Sequence, residues 1–119
     1  MLTSGDVVRL ELGVPAGSEA GLARPAVIVT AQRVLMHQPR VVQVVPLTAT
    51  LRGYDSEVTV TADPDNGLEV DSAAQCQHIR AVATERLVGT LGNVGGVALA
   101  RIPHGRPGVR SLPATWPRC

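Results

Sequence analysis

The 119-residue chain has no lysine and no phenylalanine, and its aromatic complement is one tyrosine and one tryptophan. With so few rings, stacking bases on an aromatic platform is excluded as a main mode of nucleic-acid binding. A core without Phe has to be built from Val, Leu, Ile and Ala, which suits a small, tightly packed barrel. The missing lysine removes any phosphate-cradling loop of the Gly-rich, Lys-terminated kind, and Gly92-Asn93-Val94-Gly95-Gly96 reads as a turn. His37, His78 and His104 are far apart and lack partners at metal-ligand spacing. Cys76 and Cys119 match no zinc pattern and read as one half-buried thiol and one tail thiol. No Gly-x-Ser-x-Gly elbow occurs. These absences argue against a nucleotide hydrolase, a metal enzyme and a serine hydrolase, and they call for no cofactor. No signal peptide is evident at Met1-Leu2-Thr3-Ser4-Gly5-Asp6 and no apolar run is long enough to span a membrane, so the expected location is the cytoplasm. Charges nearly balance at a formal +1, so any RNA site must be a local patch that the total conceals.

Length allows one domain. Short stretches of alternating or β-branched residues dominate it. From Asp6 to Leu12, Val8, Leu10 and Leu12 are expected to face inward, with Arg9 and Glu11 outward. Pro25 to Thr30 is continuously apolar, as in a strand buried on both faces. Arg40 to Leu47 makes a third strand, with Pro46 marking its end or an edge. Glu57 to Thr61 alternates with Val58 and Val60 inward, Ser72 to Ala83 forms a more polar fifth strand, and Val88 to Leu91 a sixth. Residues 13–19 and 63–67 carry loop signals, the second including Asn66-Gly67, whose residue types supply positive φ. Thr84 to Leu87 reads as a single helical turn, and a helix is expected to begin at Val94. Many short strands with regular turns predict a mainly β fold, a small barrel. From Pro103 the spaced prolines exclude helix, so residues 103–119 are expected to be an extended or disordered Pro/Arg-rich tail, apart from a domain over 1–102.

Two strand ends carry candidate chemistry. Ala23-Arg24-Pro25 opens the apolar strand, where an arginine fork can meet a phosphate. Pro46-Leu47-Thr48-Ala49-Thr50-Leu51-Arg52 closes the third, placing hydroxyls and an arginine just beyond a buried segment. Taken singly, each is also what a solvated strand end looks like.

Their order within the chain is more informative. Gly5-Asp6, then Gly17-Ser18-Glu19, then Arg24-Pro25-Ala26-Val27-Ile28-Val29 and Val45-Pro46-Leu47-Thr48 follow one another. Gly67-Leu68 before Asp71-Ser72, Ile79-Arg80, and Arg86-Leu87 ahead of Gly92 continue the series. In this order and spacing the chain resembles the MazF/PemK toxins over roughly residues 5 to 100. The resemblance implies an SH3-like barrel, a homodimer, a MazE-like antitoxin as partner, and a toxin of a type II toxin–antitoxin system. The implied activity is sequence-specific endonucleolytic cleavage of single-stranded RNA, with mRNA the first candidate and rRNA and tRNA further ones. That reaction needs no metal: a ribose 2′-OH attacks the adjacent phosphate, leaving a 2′,3′-cyclic phosphate and a 5′-OH end.

By the same resemblance Arg24 is the catalytic arginine before proline, stabilising charge on the phosphorane. Thr48 is the catalytic threonine, too weak an acid to serve as a free base and therefore read as positioning. Gly17, Ser18 and Glu19 would lie beside the scissile phosphate, and Thr50, Arg52, Gln77 and Arg80 complete the expected RNA-binding set.

The chain departs from the family pattern in several places: the first strand has Val7-Val8-Arg9 where relatives often have aromatics, the region after Thr30 lacks the usual Asn-rich turn, and the fifth strand and the C-terminal end differ too. Many relatives carry an acid followed by Gln before Ile-Arg, where this chain has Gln77-His78-Ile79-Arg80. Either a carboxylate is dispensable there or His78 transfers the proton, a task imidazole suits; base recognition and a structural hydrogen bond are the alternative roles. The final helix, normally amphipathic, is expected to be short or disrupted. Two other function classes share the fold: a CcdB-like toxin that binds a protein target, and an inactive barrel. The Arg-Pro and Pro-x-Thr pair favours cleavage over both.

Overall fold

β-Branched residues in short runs favour strands because they fit a pleated, half-buried surface, and most of this chain follows that rule. The computed structural model describes residues 2–11 and 23–102. The expected tail and the loop bearing Gly17, Ser18 and Glu19 lie outside the described residues.

Seven strands form one antiparallel sheet: β1 (Asp6–Glu11), β2 (Ala23–Ile28), β3 (Val41–Thr48), β4 (Glu57–Val60), β5 (Ser72–Gln75), β6 (Arg80–Ala83) and β7 (Leu87–Asn93). Their order is β4-β5-β3-β2-β1-β7, with β6 also paired to β3. Two short helices, α1 (Gln32–Leu35) and α2 (Gly95–Arg101), complete the described fold. The mainly β expectation holds, and the last helix is short. The sheet is not closed: among the described residues no pairing joins β4 to β7.

Burial on both faces explains the continuous apolar run of β2. Successive residues alternate between two clusters. Val7, Val27, Val29, Val45 and Leu47 enter one, which Ile102 at the end of α2 seals. Val8, Leu10, Ala26, Ile28, Val42 and Val44 enter the other, which Leu35 of α1 covers. Each fully buried Val or Leu contributes roughly 1.5–3 kcal/mol through lost apolar exposure. Helix α1 was invisible in the sequence because four residues are too few to show helical periodicity.

Two strand expectations are corrected. The segment from Ser72 to Ala83 is not one strand: β5 stops at Gln75, a 3₁₀ turn occupies Cys76–His78, and β6 resumes at Arg80. Pro46 does not end β3 but lies inside it. The outer edge of β3 pairs with β6 through Val41–Val44 and with β5 through Leu47 and Thr48. Pro46, which has no N–H to donate, falls in the gap where that edge changes partner. Cys76 in the turn is buried rather than half-buried.

The 63–67 turn is pinned against β7. Asn66 is buried, with Oδ1 accepting from the Asp63 and Leu68 amides and Nδ2 donating to the Thr61 carbonyl. Only Gly67 of the Asn-Gly pair takes positive φ, at 71°. The Gly5-Asp6 motif is likewise structural: Gly5 has φ 90°, and Asp6 accepts from the Thr3 amide at 2.8 Å and from Asn93 Nδ2 at 3.0 Å.

Candidate active site

The change of partner along β3 leaves a cleft of about 690 Å³. The ends of β2 and β3 form one wall and the 3₁₀ turn with the start of β6 forms the other. Arg24, Thr48, Arg52, Gln77, His78 and Arg80, all singled out in the sequence, line it together. Thr50 is exposed beyond β3 and does not line the cleft; its amide donates to Thr48 Oγ1 at 3.2 Å.

Arg24 and Thr48 come together through sheet register. β2 and β3 pair as Ala26↔Pro46, Val27↔Val45 and Ile28↔Val44. Continuing that register two residues further brings Arg24 level with Thr48. Both also line a second, adjoining cavity of about 400 Å³ with Arg9, Leu68 and Val70. Pro25 fixes the backbone after Arg24, whose side chain is exposed, while Thr48 is half-buried.

Among the described residues the cleft wall carries three arginines and a histidine but no carboxylate. The balanced total charge therefore does conceal a cationic patch, of the kind that attracts polyanions. One carboxylate lies just behind the wall, and it was missed in the sequence. Glu57, at the start of β4, has a side chain only 2 % accessible. Its Oε2 accepts from Arg52 Nη2 at 2.7 Å, from Gln77 Nε2 at 2.9 Å and from Gln75 Nε2 at 3.5 Å. Burial pushes the Glu57 carboxyl up, but the hydrogen bonds from Arg52, Gln77 and Gln75 and the Arg52 charge outweigh it and hold it below its ordinary value. The bond to Glu57 in turn raises Arg52. Tyr54 stacks on the Arg52 guanidinium, with its ring centroid 4.7 Å away.

In sequence, Glu57 reads as the outward residue of an alternating strand. The signal that finds it is register: β4 and β5 pair as Glu57↔Gln75, two residues from Gln77. A carboxylate thus stands next to Gln77, where the sequence lacks one, but it comes from another strand. Deep burial and an arginine partner make it a poor proton acceptor for substrate.

Chemically, the cleft offers fixed cations, a hydroxyl and an exposed imidazole around one hollow, a set suited to a phosphodiester. Comparison with known proteins agrees with that reading. Residues 3–102 match the family described as PemK-like, MazF-like toxin of type II toxin–antitoxin system. Endoribonuclease MazF9 of Mycobacterium tuberculosis is 36 % identical over 107 residues, which is 86 % of this chain and 90 % of that protein. Among solved structures, Mycobacterium tuberculosis toxin MazF-mt6 superposes with a TM-score of 0.65 at 29 % identity, covering 82 % of this chain and 90 % of that one. A MazE–MazF structure from Deinococcus radiodurans gives a TM-score of 0.68 at 26 % identity, covering 83 % and 86 %. The chain belongs to the PemK-like, MazF-like toxins of type II toxin–antitoxin systems.

Proposed function

We propose that this toxin is an endoribonuclease that cuts single-stranded RNA at short sequence sites without a metal. The observation that carries the proposal is the meeting of Arg24 and Thr48 in one cationic cleft whose described lining holds no carboxylate. The attacking group is the ribose 2′-OH on the 5′ side of the scissile phosphate. Arg24 stabilises the negative charge that builds on the equatorial phosphorane oxygens and remains charged throughout. The Thr48 hydroxyl donates to a phosphate oxygen and holds the in-line geometry. His78, exposed on the opposite wall, is the lining side chain of a type that both takes and gives protons near neutrality, and it serves as the acid–base group. Arg52, Gln77 and Arg80 bind the flanking nucleotides. Gly17, Ser18 and Glu19 approach the same phosphate from the loop outside the described residues. Products end in a 2′,3′-cyclic phosphate and a 5′-OH.

The working form is a cytoplasmic homodimer neutralised by a MazE-like antitoxin, and the partner MazE in the Deinococcus structure supports that assignment. Residues 1–102 carry the activity, and 103–119 are a separate Pro/Arg-rich tail. The test is incubation of the full chain with a mixed single-stranded RNA pool in excess EDTA. Fragments with 5′-OH and 2′,3′-cyclic phosphate ends are expected. Growth arrest without such fragments points instead to a protein target, and neither effect points to an inactive barrel.

A further inference from the structure

Arg52 sits in the exposed segment between β3 and β4, outside any strand. A long arginine side chain there has many rotamers, and ordering it on binding weakens affinity. Here its guanidinium is already held twice: Glu57 accepts from one end of the fork at 2.7 Å, and Tyr54 covers a face. Its other N–H groups have no hydrogen-bond partner among the described residues, and Arg52 lines the cleft whereas Glu57 does not.

The cluster is poorly built for stability alone. Besides the Glu57 oxygen that takes three donors, Glu57 Oε1 and Gln77 Oε1 are buried without a hydrogen-bond partner among the described residues. Unsatisfied buried acceptors are unfavourable, and a site that tolerates them is a candidate for function. Glu57 is too enclosed to touch a ligand, so whatever it does for binding passes through the groups it holds.

We infer that Glu57 is a positioning residue for RNA binding: together with Tyr54 it presents the Arg52 guanidinium to a phosphate next to the cut. This rests on the ribonuclease reading for its ligand but not on the chemistry of cleavage.

The experiment measures binding of a fluorescent, fully 2′-O-methylated single-stranded RNA pool, which cannot be cut, to the full-length chain and its variants across a salt series. Arg52→Ala should weaken binding about tenfold, the scale of one charged hydrogen bond. It should also flatten the dependence of log Kd on log salt by about 0.7, the value for one phosphate on a single strand. Glu57→Gln, which leaves Arg52 charged but less well held, should weaken binding by a smaller factor with the salt slope kept, and the double variant should bind no worse than Arg52→Ala alone. Wild-type or tighter binding by folded Glu57→Gln, or additive losses in the double variant, overturn the inference. If Glu57→Gln does not fold, Tyr54→Ala, which alters an exposed ring, replaces it. It should weaken binding by a smaller factor that vanishes in the Arg52→Ala background, and an additive loss again overturns the inference. A chain that binds this pool but never cuts natural RNA refutes the proposed chemistry alone; one that does not bind it refutes both.

Discussion

Arg24 and Thr48 stand level on neighbouring strands and face the same two cavities. Their division of labour predicts different kinetic signatures. Arg24→Ala should lower kcat about a hundredfold to a thousandfold, as loss of a donor to transition-state charge does. Thr48→Ala should lower kcat less, because positioning survives in part through Arg24. Single-turnover cleavage of the RNA pool by folded variants is the check. Near wild-type kcat in both variants would remove the pair from the site.

His78 lies on the opposite wall, on the 3₁₀ turn and exposed, where sequence alone left a structural role open. No hydrogen bond from its ring to the described residues is needed to hold the turn, whose closing bond runs from the Ile79 amide to the Cys76 carbonyl. His78→Asn is therefore expected to melt like wild type while losing one limb of the pH–rate profile of cleavage. An unchanged profile assigns His78 to base contacts only.

Much of this was legible in sequence because it is local. Arg24-Pro25 and Pro46-Leu47-Thr48 are linear motifs on strands whose apolar runs are unmistakable, and alternation between two clusters accounts for β2. What was not legible depends on tertiary pairing. Glu57 reads as solvent-facing because alternation counts faces, whereas Arg52, stacked on Tyr54, reaches back to it. The break at Cys76–His78 was hidden by residues that suit a strand as well as a turn. Pro46 marks an end or an edge of β3 in sequence, and only the sheet shows which: a mid-strand gap on one edge that tolerates it.

Glu57 also makes stability depend on acidity. Its carboxyl is held below its ordinary value in the fold, chiefly against burial and by the bonds from Arg52, Gln77 and Gln75. The unfolded chain thus takes up a proton more readily, and stability falls as pH drops. The contribution is complete above the unfolded carboxylate range of about pH 4.3 and disappears as pH falls through the lower folded value. Urea melts of wild type and Glu57→Gln should therefore differ at neutral pH and converge in acid. A gap independent of pH would mean that the charge of Glu57 does not stabilise the fold.

The support for the second cavity can be tested through two glycines of β7. A Cβ on Gly92 would sit 2.3 Å from the Asp65 carbonyl oxygen and 2.5 Å from the Asn66 carbonyl carbon, both backbone atoms of the 63–67 turn. Neither can swing aside as a side chain tip does, and the Asn93 amide bonds the same Asp65 carbonyl at 2.9 Å. Gly89, on the same strand, has nothing within 4 Å of its added Cβ. Gly92→Ala should destabilise by about 1–3 kcal/mol, the range for overpacking, lowering the melting temperature by at least about 4 °C. Gly89→Ala should stay within about 0.5 kcal/mol of wild type, as exposed substitutions usually do. Equal melting temperatures for the two variants would show that the turn does not pack on β7 as closely as described. Because Leu68 and Val70 follow that turn and line the second cavity beside Arg24 and Thr48, Gly92→Ala should also raise KM for RNA, while Gly89→Ala leaves it unchanged.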